Sequence, residues 1–294
     1  MTSLHVITGP TAVGKTAFAL DWAMRNNAEI VSCDSLLVYR GMDIGTAKPT
    51  REELAAVPHH CIDLVSPEQA YSVSDYIQAA SEAVADICSR GKRVLIAGGS
   101  GFYLKAFYRA MTDTIPMSPE VTDRVRCLTE QGLEALQAEL EHYAPGRPPL
   151  LDWNNPRRVA KALERCLASG RLLAEIHAEF QNAKGPFDGF SKHTVLLSRP
   201  ADMLNLRIGK RVQAMIDAGL VEEVKRLRDA GHLVPGTPAA SAVGYRETLQ
   251  WLEEGADDIA RLVESITIST RQLAAKQRKW FRTQIPVDEV VELG

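Results

Sequence analysis

Eight residues near the start of the chain restrict its architecture more than any others. Gly9-Pro10-Thr11-Ala12-Val13-Gly14-Lys15-Thr16 fits G-x-x-x-x-G-K-[ST], the loop that cradles phosphate groups. At an average glycine frequency of about 7%, chance places this pattern in roughly one chain of this length in a hundred. Its setting is equally telling. Leu4-His5-Val6-Ile7-Thr8 is a short apolar, β-branched run, and Thr16-Ala17-Phe18-Ala19-Leu20 opens a helical pattern. Strand, glycine loop and helix in that order give the motif its physics. Backbone N–H groups and a helix N-terminus point at one anion, and Lys15 adds a point charge. The Thr16 hydroxyl is placed for a Mg²⁺ ion. A phosphorylated ligand is expected, and the motif does not say which.

The pattern repeats along the next hundred residues. Glu29-Ile30-Val31-Ser32-Cys33 reads as a second strand that ends at Asp34-Ser35. Residues 36–70, punctuated by Gly41, Gly45, Pro49, Pro58 and Pro67, read as loops and a short helix. Ser72 to Arg90 is helical, with Ser72 as N-cap, Asp75 at the capping-box distance and one apolar face of Tyr76, Ile77, Ala80, Val84 and Ile87. Arg93-Val94-Leu95-Ile96-Ala97 is a buried-type strand that stops at Gly98-Gly99-Ser100-Gly101. Alternating strands and helices imply an α/β fold, a P-loop NTPase-like parallel sheet flanked by helices. Ligands of such sheets sit beyond the carboxyl ends of the strands. Gly9–Thr16, Asp34-Ser35 and Gly98–Gly101 all lie there and should meet at one site.

From about Thr112 the character changes. Prolines interrupt helical stretches at 119–142 and 156–182, and residues 113–194 read as an all-helical insertion domain. Residues 1–112 and 195–294 then form the core. Thr194–Ser198 is expected as a returning strand, Met203 to Ala230 as one long amphipathic helix, and 241–253 and about 257–284 as two more helices.

Composition excludes several classes. No apolar run approaches the length of a membrane-spanning helix, and the first strand leaves no room for a signal peptide. The five cysteines are scattered and without C-x-x-C spacing, which points to a reducing, cytoplasmic setting and against a disulfide framework or zinc site. A net charge of −3 does not advertise a nucleic-acid binder, so such a partner must be met by local basic patches.

Two such patches exist. Arg157, Arg158, Lys161 and Arg165 recur along one helix of the insertion. Near the C-terminus, Arg271 to Arg282 carries five positive charges, no negative one, and the aromatic pair Trp280-Phe281. Basic charge interleaved with aromatics suits RNA phosphates and unstacked bases, while a solvated face over a core aromatic pair is the plainer alternative. A third, smaller group is Arg207 and Arg211, one helical turn apart. No acidic residue lies between Asp202 and Asp217, so this turn can give a diphosphate a second cationic wall. Asp34 can serve as general base, hold a metal's water, or cap the next turn. Ser100 can donate to a phosphoryl oxygen or cap the helix that follows it.

Together these pieces resemble the bacterial tRNA dimethylallyltransferases, also called tRNA isopentenyltransferases, nearly end to end. The likeness rests on the P-loop and on Asp34-Ser35-Leu36-Leu37-Val38-Tyr39-Arg40-Gly41-Met42-Asp43-Ile44-Gly45-Thr46-Ala47-Lys48-Pro49. It extends through Pro58-His59-His60, Gly98 to Tyr103, Asn154 to Arg158, Val243-Gly244-Tyr245-Arg246-Glu247 and Thr270-Arg271-Gln272. The resemblance implies that Gly9, Pro10, Thr11, Ala12, Val13, Gly14, Lys15 and Thr16 hold the diphosphate of dimethylallyl diphosphate. It implies Asp34 as the general base, Ser100 (threonine in most of the family) near the bridging oxygen, and Arg207 with Arg211 on the diphosphate. It places Asp34, Ser35, Leu36 and Leu37 on the tRNA anticodon stem-loop. Arg157, Arg158, Val159, Ala160 and Lys161 join them, as do Ser241, Ala242, Val243, Gly244, Tyr245 and Arg246. The last such segment is Ala275, Lys276, Gln277, Arg278, Lys279, Trp280, Phe281 and Arg282, where Ala275 replaces a basic residue of the family pattern.

The expectation is therefore transfer of a dimethylallyl group to N⁶ of the adenosine immediately 3′ of the anticodon, with Mg²⁺ as cofactor. A cytoplasmic monomer with no membrane and no obligate protein partner completes it. Competing readings are an adenylate isopentenyltransferase acting on free nucleotide, a P-loop small-molecule kinase, and an RNA-binding protein gated by a nucleotide.

Overall fold

A computed structural model describes residues 3–111 and 115–294. The change of character expected at Thr112 and the expected domain boundary at 113 fall outside the described residues. The chain divides into two compact units, Met1–Tyr108 with Pro186–Gly294, and Arg109–Gly185.

The first unit opens with β1 (Ser3–Thr8), α1 (Lys15–Asn26), β2 (Ala28–Ser32), α2 (Arg51–Ala56) and β3 (His59–His60). It continues through α3 (Val73–Ser89), β4 (Arg93–Gly98) and α4 (Gly101–Lys105). The second unit holds α5 (Pro119–Gln131), α6 (Leu133–Glu141), α7 (Pro156–Ser169) and α8 (Leu173–Asn182). The first unit then resumes with β5 (Ser191–Ser198), α9 (Ala201–Asp217), α10 (Leu220–Asp229), α11 (Tyr245–Glu253), α12 (Ile259–Gln284) and β6 (Glu289–Glu292).

All six strands form one parallel sheet in the order β3-β2-β4-β1-β5-β6. β1 runs through its middle, with Thr8 level with Gly98 of β4 on one side and Leu196 of β5 on the other. Its apolar residues are buried because helices cover both faces: α1, α9 and α10 pack on Ile7, Ile30 and Leu95, and α3 and α4 on Leu4, Val31 and Ile96. The N-terminus of α3 forms as the sequence predicts. Ser72 Oγ accepts from the Asp75 N–H at 3.2 Å, and Asp75 Oδ2 accepts from the Ser72 N–H at 2.8 Å. The second unit has its own core of Val125, Leu136, Leu140, Val159, Leu163, Cys166 and Ile176.

Several element boundaries differ from expectation. Each of the three long helices expected is two, because glycines in the left-handed region turn the chain: Gly132 (φ 109) at α5–α6, Gly170 (φ 68) at α7–α8 and Gly219 (φ 97) at α9–α10. The helix expected from 241 starts at Tyr245, after a turn. The returning strand begins at Ser191 rather than Thr194, inside the range expected for the helical insertion. Strand β3, two residues long, and β6 carry too little pattern to be seen in the sequence. Both take their place by pairing, β3 with β2 and β6 with β5.

Candidate active site

The loop after β1 is shaped by contacts that a sequence motif does not describe. A Cβ on Gly9 would lie 2.7 Å from the Leu197 carbonyl oxygen of β5, so only glycine fits between the two strands. Gly14, at φ 115, turns the chain into α1. The first amides of α1 have no intrahelical acceptor and open onto the cavity at the sheet's carboxyl edge. Lys15 Nζ donates to the Gly9 and Pro10 carbonyls at 2.9 and 2.8 Å. Burial brings its pKa down to about 8, opposed by the Asp34 carboxylate and helped by Arg211.

The cavity has a volume of about 1060 Å³. Thr11, Ala12, Gly14, Lys15 and Thr16 line it, whereas Gly9, Pro10 and Val13 stand behind the loop and Val13 is wholly buried. Asp34, Ser35, Leu36 and Leu37 line it from β2, and Gly98 to Tyr103 from β4. Arg207 and Arg211 line it from α9, so the three strand-end segments and the arginine pair do share one cavity.

Asp34 is held by an N–H from its own turn, Leu36 donating to Oδ1 at 3.0 Å. Burial pushes its carboxyl above the ordinary aspartate range; the Leu36 amide, Lys15 and Arg211 act against that rise. Turn chemistry and an available carboxylate thus coexist. Ser100 occupies the N-cap position of α4, but its side chain does not cap the helix. Instead Ser100 Oγ accepts from the Ser35 N–H at 2.8 Å and lies 3.0 Å from Ser35 Oγ, tying the β4 loop to the β2 loop. Arg207 Nε donates to the Ala12 carbonyl at 3.0 Å and Arg211 to the Thr46 carbonyl at 3.4 Å. Each arginine uses one donor on backbone, leaving others of its fork for an anion.

Gly45, Thr46 and Ala47 line this cavity, and a residue with no motif of its own supports the turn that carries them. Glu223 on α10, 3% exposed, accepts from the Asp43, Ile44 and Gly45 N–H groups at 3.0, 2.9 and 3.2 Å and from the Tyr245 hydroxyl at 2.5 Å. A Cβ on Gly45 would fall 2.4 Å from the Tyr245 ring. The Lys48 side chain is 4% exposed and reaches Asp43, Asp63 and the Tyr39 carbonyl. In the sequence Glu223 looks like one of two solvated helix acids, and only the packing of α10 under the loop distinguishes it.

The residues expected on RNA divide by exposure. Ser241, Arg246, Ala275, Lys276, Lys279 and Arg282 are exposed, and Val243, Arg278 and Trp280 are half-buried. Ala242, Gly244, Tyr245 and Phe281 are buried, and of these Ala242 and Phe281 reach the cavity wall. Tyr245 supports the turn at Gly45, and Phe281 belongs to the core under α4. The aromatic pair therefore splits: Phe281 is core, and Trp280 packs against Gly101 at the cavity's edge. Gln277 turns inward as well, its amide hydrogen-bonded to the loops after β1 and β4. In the second unit α7 buries Val159, half-buries Ala160 and exposes Arg157, Arg158 and Lys161. Arg158 pairs with Asp152 at 3.9 Å and Lys161 with Glu164 at 2.6 Å.

No group of three or more His, Cys, Asp or Glu side chains among the described residues could cage a metal. Magnesium does not need such a cage. It keeps several waters and binds through one or two protein oxygens plus substrate phosphates. The Thr16 hydroxyl and Asp34 carboxylate line the same cavity as the phosphate-directed amides, and that donor set fits a shared ion. No described helix is long and apolar enough to cross a membrane.

Comparison with known proteins adds a family to this geometry. The model of the IPP transferase family matches residues 37–284. The tRNA dimethylallyltransferase of Opitutus terrae is 51% identical over 286 residues, spanning 96% of this chain and 91% of its own. The tRNA dimethylallyltransferase 1 of Trichlorobacter lovleyi is 41% identical over 280 residues, 95% of this chain and 90% of its own. Among solved structures, the full-length tRNA isopentenylpyrophosphate transferase of Bacillus halodurans superposes with a TM-score of 0.72 at 31% identity. That match covers 99% of this chain and 90% of the other. A eukaryotic dimethylallyltransferase acting on tRNA superposes with a TM-score of 0.85 at 25% identity, covering 99% of this chain and 74% of the other.

Proposed function

The chain belongs to the IPP transferase family, and from that premise we propose that it transfers the dimethylallyl group of dimethylallyl diphosphate to N⁶ of the adenosine 3′ of the anticodon in tRNA. The observation that carries this reading is the single cavity where the P-loop, Asp34, Ser100 and the Arg207–Arg211 pair face one another, edged by the basic helix α12. The diphosphate lies against the α1 amides, Lys15 and the two arginines. The bond between the allylic carbon and the bridging oxygen breaks, and its electron pair leaves on the diphosphate. Lys15, Arg207 and Arg211 stabilise that growing charge, and Ser100, hydrogen-bonded to Ser35, serves the bridging oxygen. The amine nitrogen forms the new bond to the allylic carbon, and Asp34 takes the amine's proton. A carboxyl held above its ordinary range is a better acceptor for that proton than a solvated one. The Thr16 hydroxyl would hold a Mg²⁺ ion, which would supply further charge neutralisation to the leaving group.

An adenine reaches such a cavity only out of its stack, which suits a single-stranded loop. Lys276, Lys279 and Arg282 on α12, with Arg157, Arg158 and Lys161 of the second unit, supply the sequence-independent phosphate contacts. Five free cysteines accord with a reducing, cytoplasmic setting. Incubation with labelled dimethylallyl diphosphate, Mg²⁺ and unmodified tRNA tests the reading directly. Label should appear in tRNA as prenylated adenosine, with free AMP neither labelled nor competing. Unlabelled tRNA would reject the proposal, and labelled AMP would move it to the free-nucleotide enzymes.

A further inference from the structure

We propose that Gln277 is a positioning residue through which RNA docking on α12 sets the donor loop, so that the two substrates bind cooperatively. The proposal rests on the function above. Its physical basis is one amide that ties three distant segments together. Gln277 Oε1 accepts from the Thr11 N–H at 2.8 Å, and Gln277 Nε2 donates to the Gly99 carbonyl at 2.9 Å. The side chain thereby bridges the loops that follow β1 and β4, the two strands on which the cavity's phosphate side is built. Glutamine combines one acceptor and two donors at this reach, and both ends are in use.

The helix that carries it has two faces. Thr270, Ala274, Gln277 and Phe281, spaced by four, three and four residues, make one inward stripe. Ala274 and Phe281 are 2% and 1% exposed, and Thr270 is 9% exposed. Lys276, Lys279 and Arg282 face solvent on other sides of the same turns. Phosphates gripped by these cations act on a rigid helix whose opposite face holds the Thr11 amide. Trp280, three residues on, is a second point of contact: a Cβ on Gly101 would lie 2.7 Å from its ring, so the chain beside Ser100 rests directly on the indole. The space around the bridge is tight. A Cβ on Gly99 would come within 3.1 Å of Gln277 Nε2 and 3.4 Å of Lys15 Nζ, so a displaced α12 changes the setting of the loop and its lysine together. Coupling of this kind is reciprocal: RNA raises donor affinity by the same factor that donor raises RNA affinity.

The test is a binding cycle on the full chain. The affinity of a non-hydrolysable dimethylallyl diphosphate analogue is measured with and without an unmodified anticodon stem-loop, and RNA affinity with and without the analogue. Wild type should show equal enhancement in both directions, in the usual range of about 5–150-fold. Gln277→Ala should bring that factor close to one while folding, followed by circular dichroism, is kept. Should that variant misfold, Gln277→Glu gives the same measurement, since it keeps the acceptor for Thr11 and loses the donor to Gly99. Its coupling should fall as well, and its donor affinity further, because a carboxylate faces the diphosphate. Independent binding in the wild type, or full coupling in the variants, overturns the proposal. A wild type that fails to prenylate tRNA at all defeats the functional reading instead, so the two failures are distinguishable.

Discussion

Two carboxylates mark the ends of β2, Glu29 buried within the strand and Asp34 half-buried just beyond it, and the two sit in opposite surroundings. At its start Glu29 is 2% exposed and receives Arg90 at 2.5 and 2.7 Å, His60 at 2.7 Å and Lys92 at 2.8 Å. The hydrogen-bonded Arg90 does most to hold its carboxyl well below the usual range. Just past the other end Asp34 has the Leu36 amide as a hydrogen-bond donor, and burial lifts its carboxyl above the usual range. The acid beside the sheet's amino edge has its countercharges built in. The acid beside the carboxyl edge faces a cavity together with a desolvated lysine and two arginines. A buried charge with its full set of partners is scaffolding, whereas one held short of partners is where a ligand completes the electrostatics.

The comparison breaks most sharply at Asp34. Asp34→Asn should lower prenyl transfer by about 10²–10⁴-fold, the usual contribution of a positioned base. Stability should hold or rise, and affinity for tRNA should change little; a near-normal single-turnover rate would remove Asp34 from the chemistry. Glu29→Gln should do the reverse. It leaves Arg90, Lys92 and His60 facing a neutral group and should cost about 2–4 kcal/mol of stability, at the low side because Arg90 is 39% exposed. The urea midpoint should drop while activity per folded molecule stays unchanged. Because the Glu29 carboxyl is held below its ordinary value, its stabilisation is present above about pH 4.5 and fades as pH falls further. The two proteins should converge in acid, and a gap that persists there contradicts the pairing.

Titration sharpens the contrast at the other edge. In the free enzyme kcat/KM should rise on the acid side at a pH above the ordinary aspartate value of 3.8 and fall near pH 8, as Asp34 and Lys15 change protonation. Lys15→Arg should move the alkaline limb upward, and a limb that stays near 8 would belong to another group. Lys15 also costs the fold something. The unfolded chain binds its proton more tightly, so stability should rise with pH between about 8 and 10.5. Lys15→Met should abolish transfer yet raise Tm at neutral pH by about 2–4 °C, a gain that shrinks above pH 8. The smallest effect belongs to the exposed helix face. Lys279→Ala should weaken tRNA binding modestly and reduce the slope of log affinity against log salt by about one at most. An unchanged slope puts Lys279 off the RNA.

What was legible in the sequence was local. The P-loop, its flanking strand and helix, the Ser72–Asp75 cap and the apolar run ending at Gly98 each carry their instruction within a few residues. The glycine breaks at Gly132, Gly170 and Gly219 were visible as letters but not as turns, since an isolated glycine inside an amphipathic pattern is often tolerated. Strand β6 is mostly exposed and forms a strand because β5 offers it an edge. Phe281 and Tyr245 read as members of RNA-facing segments, and their burial follows from where α11 and α12 pack.

The chain by itself determined that a phosphate-cradling motif follows the first strand, that a parallel sheet brings Asp34 and Ser100 to the same edge, and that basic charge gathers on two helices. Short-range spacing and strand-end geometry are sufficient for those statements. Only the tertiary structure decided that Glu223, from a helix 180 residues away along the chain, holds the Asp43–Gly45 amides. It alone turned Gln277 from the basic face to the phosphate loop and separated Trp280 from Phe281. The physical reason is the same in each case. These side chains answer to backbone donors, acceptors and empty volume contributed by segments far off in sequence, and nothing in their own neighbourhood encodes those partners.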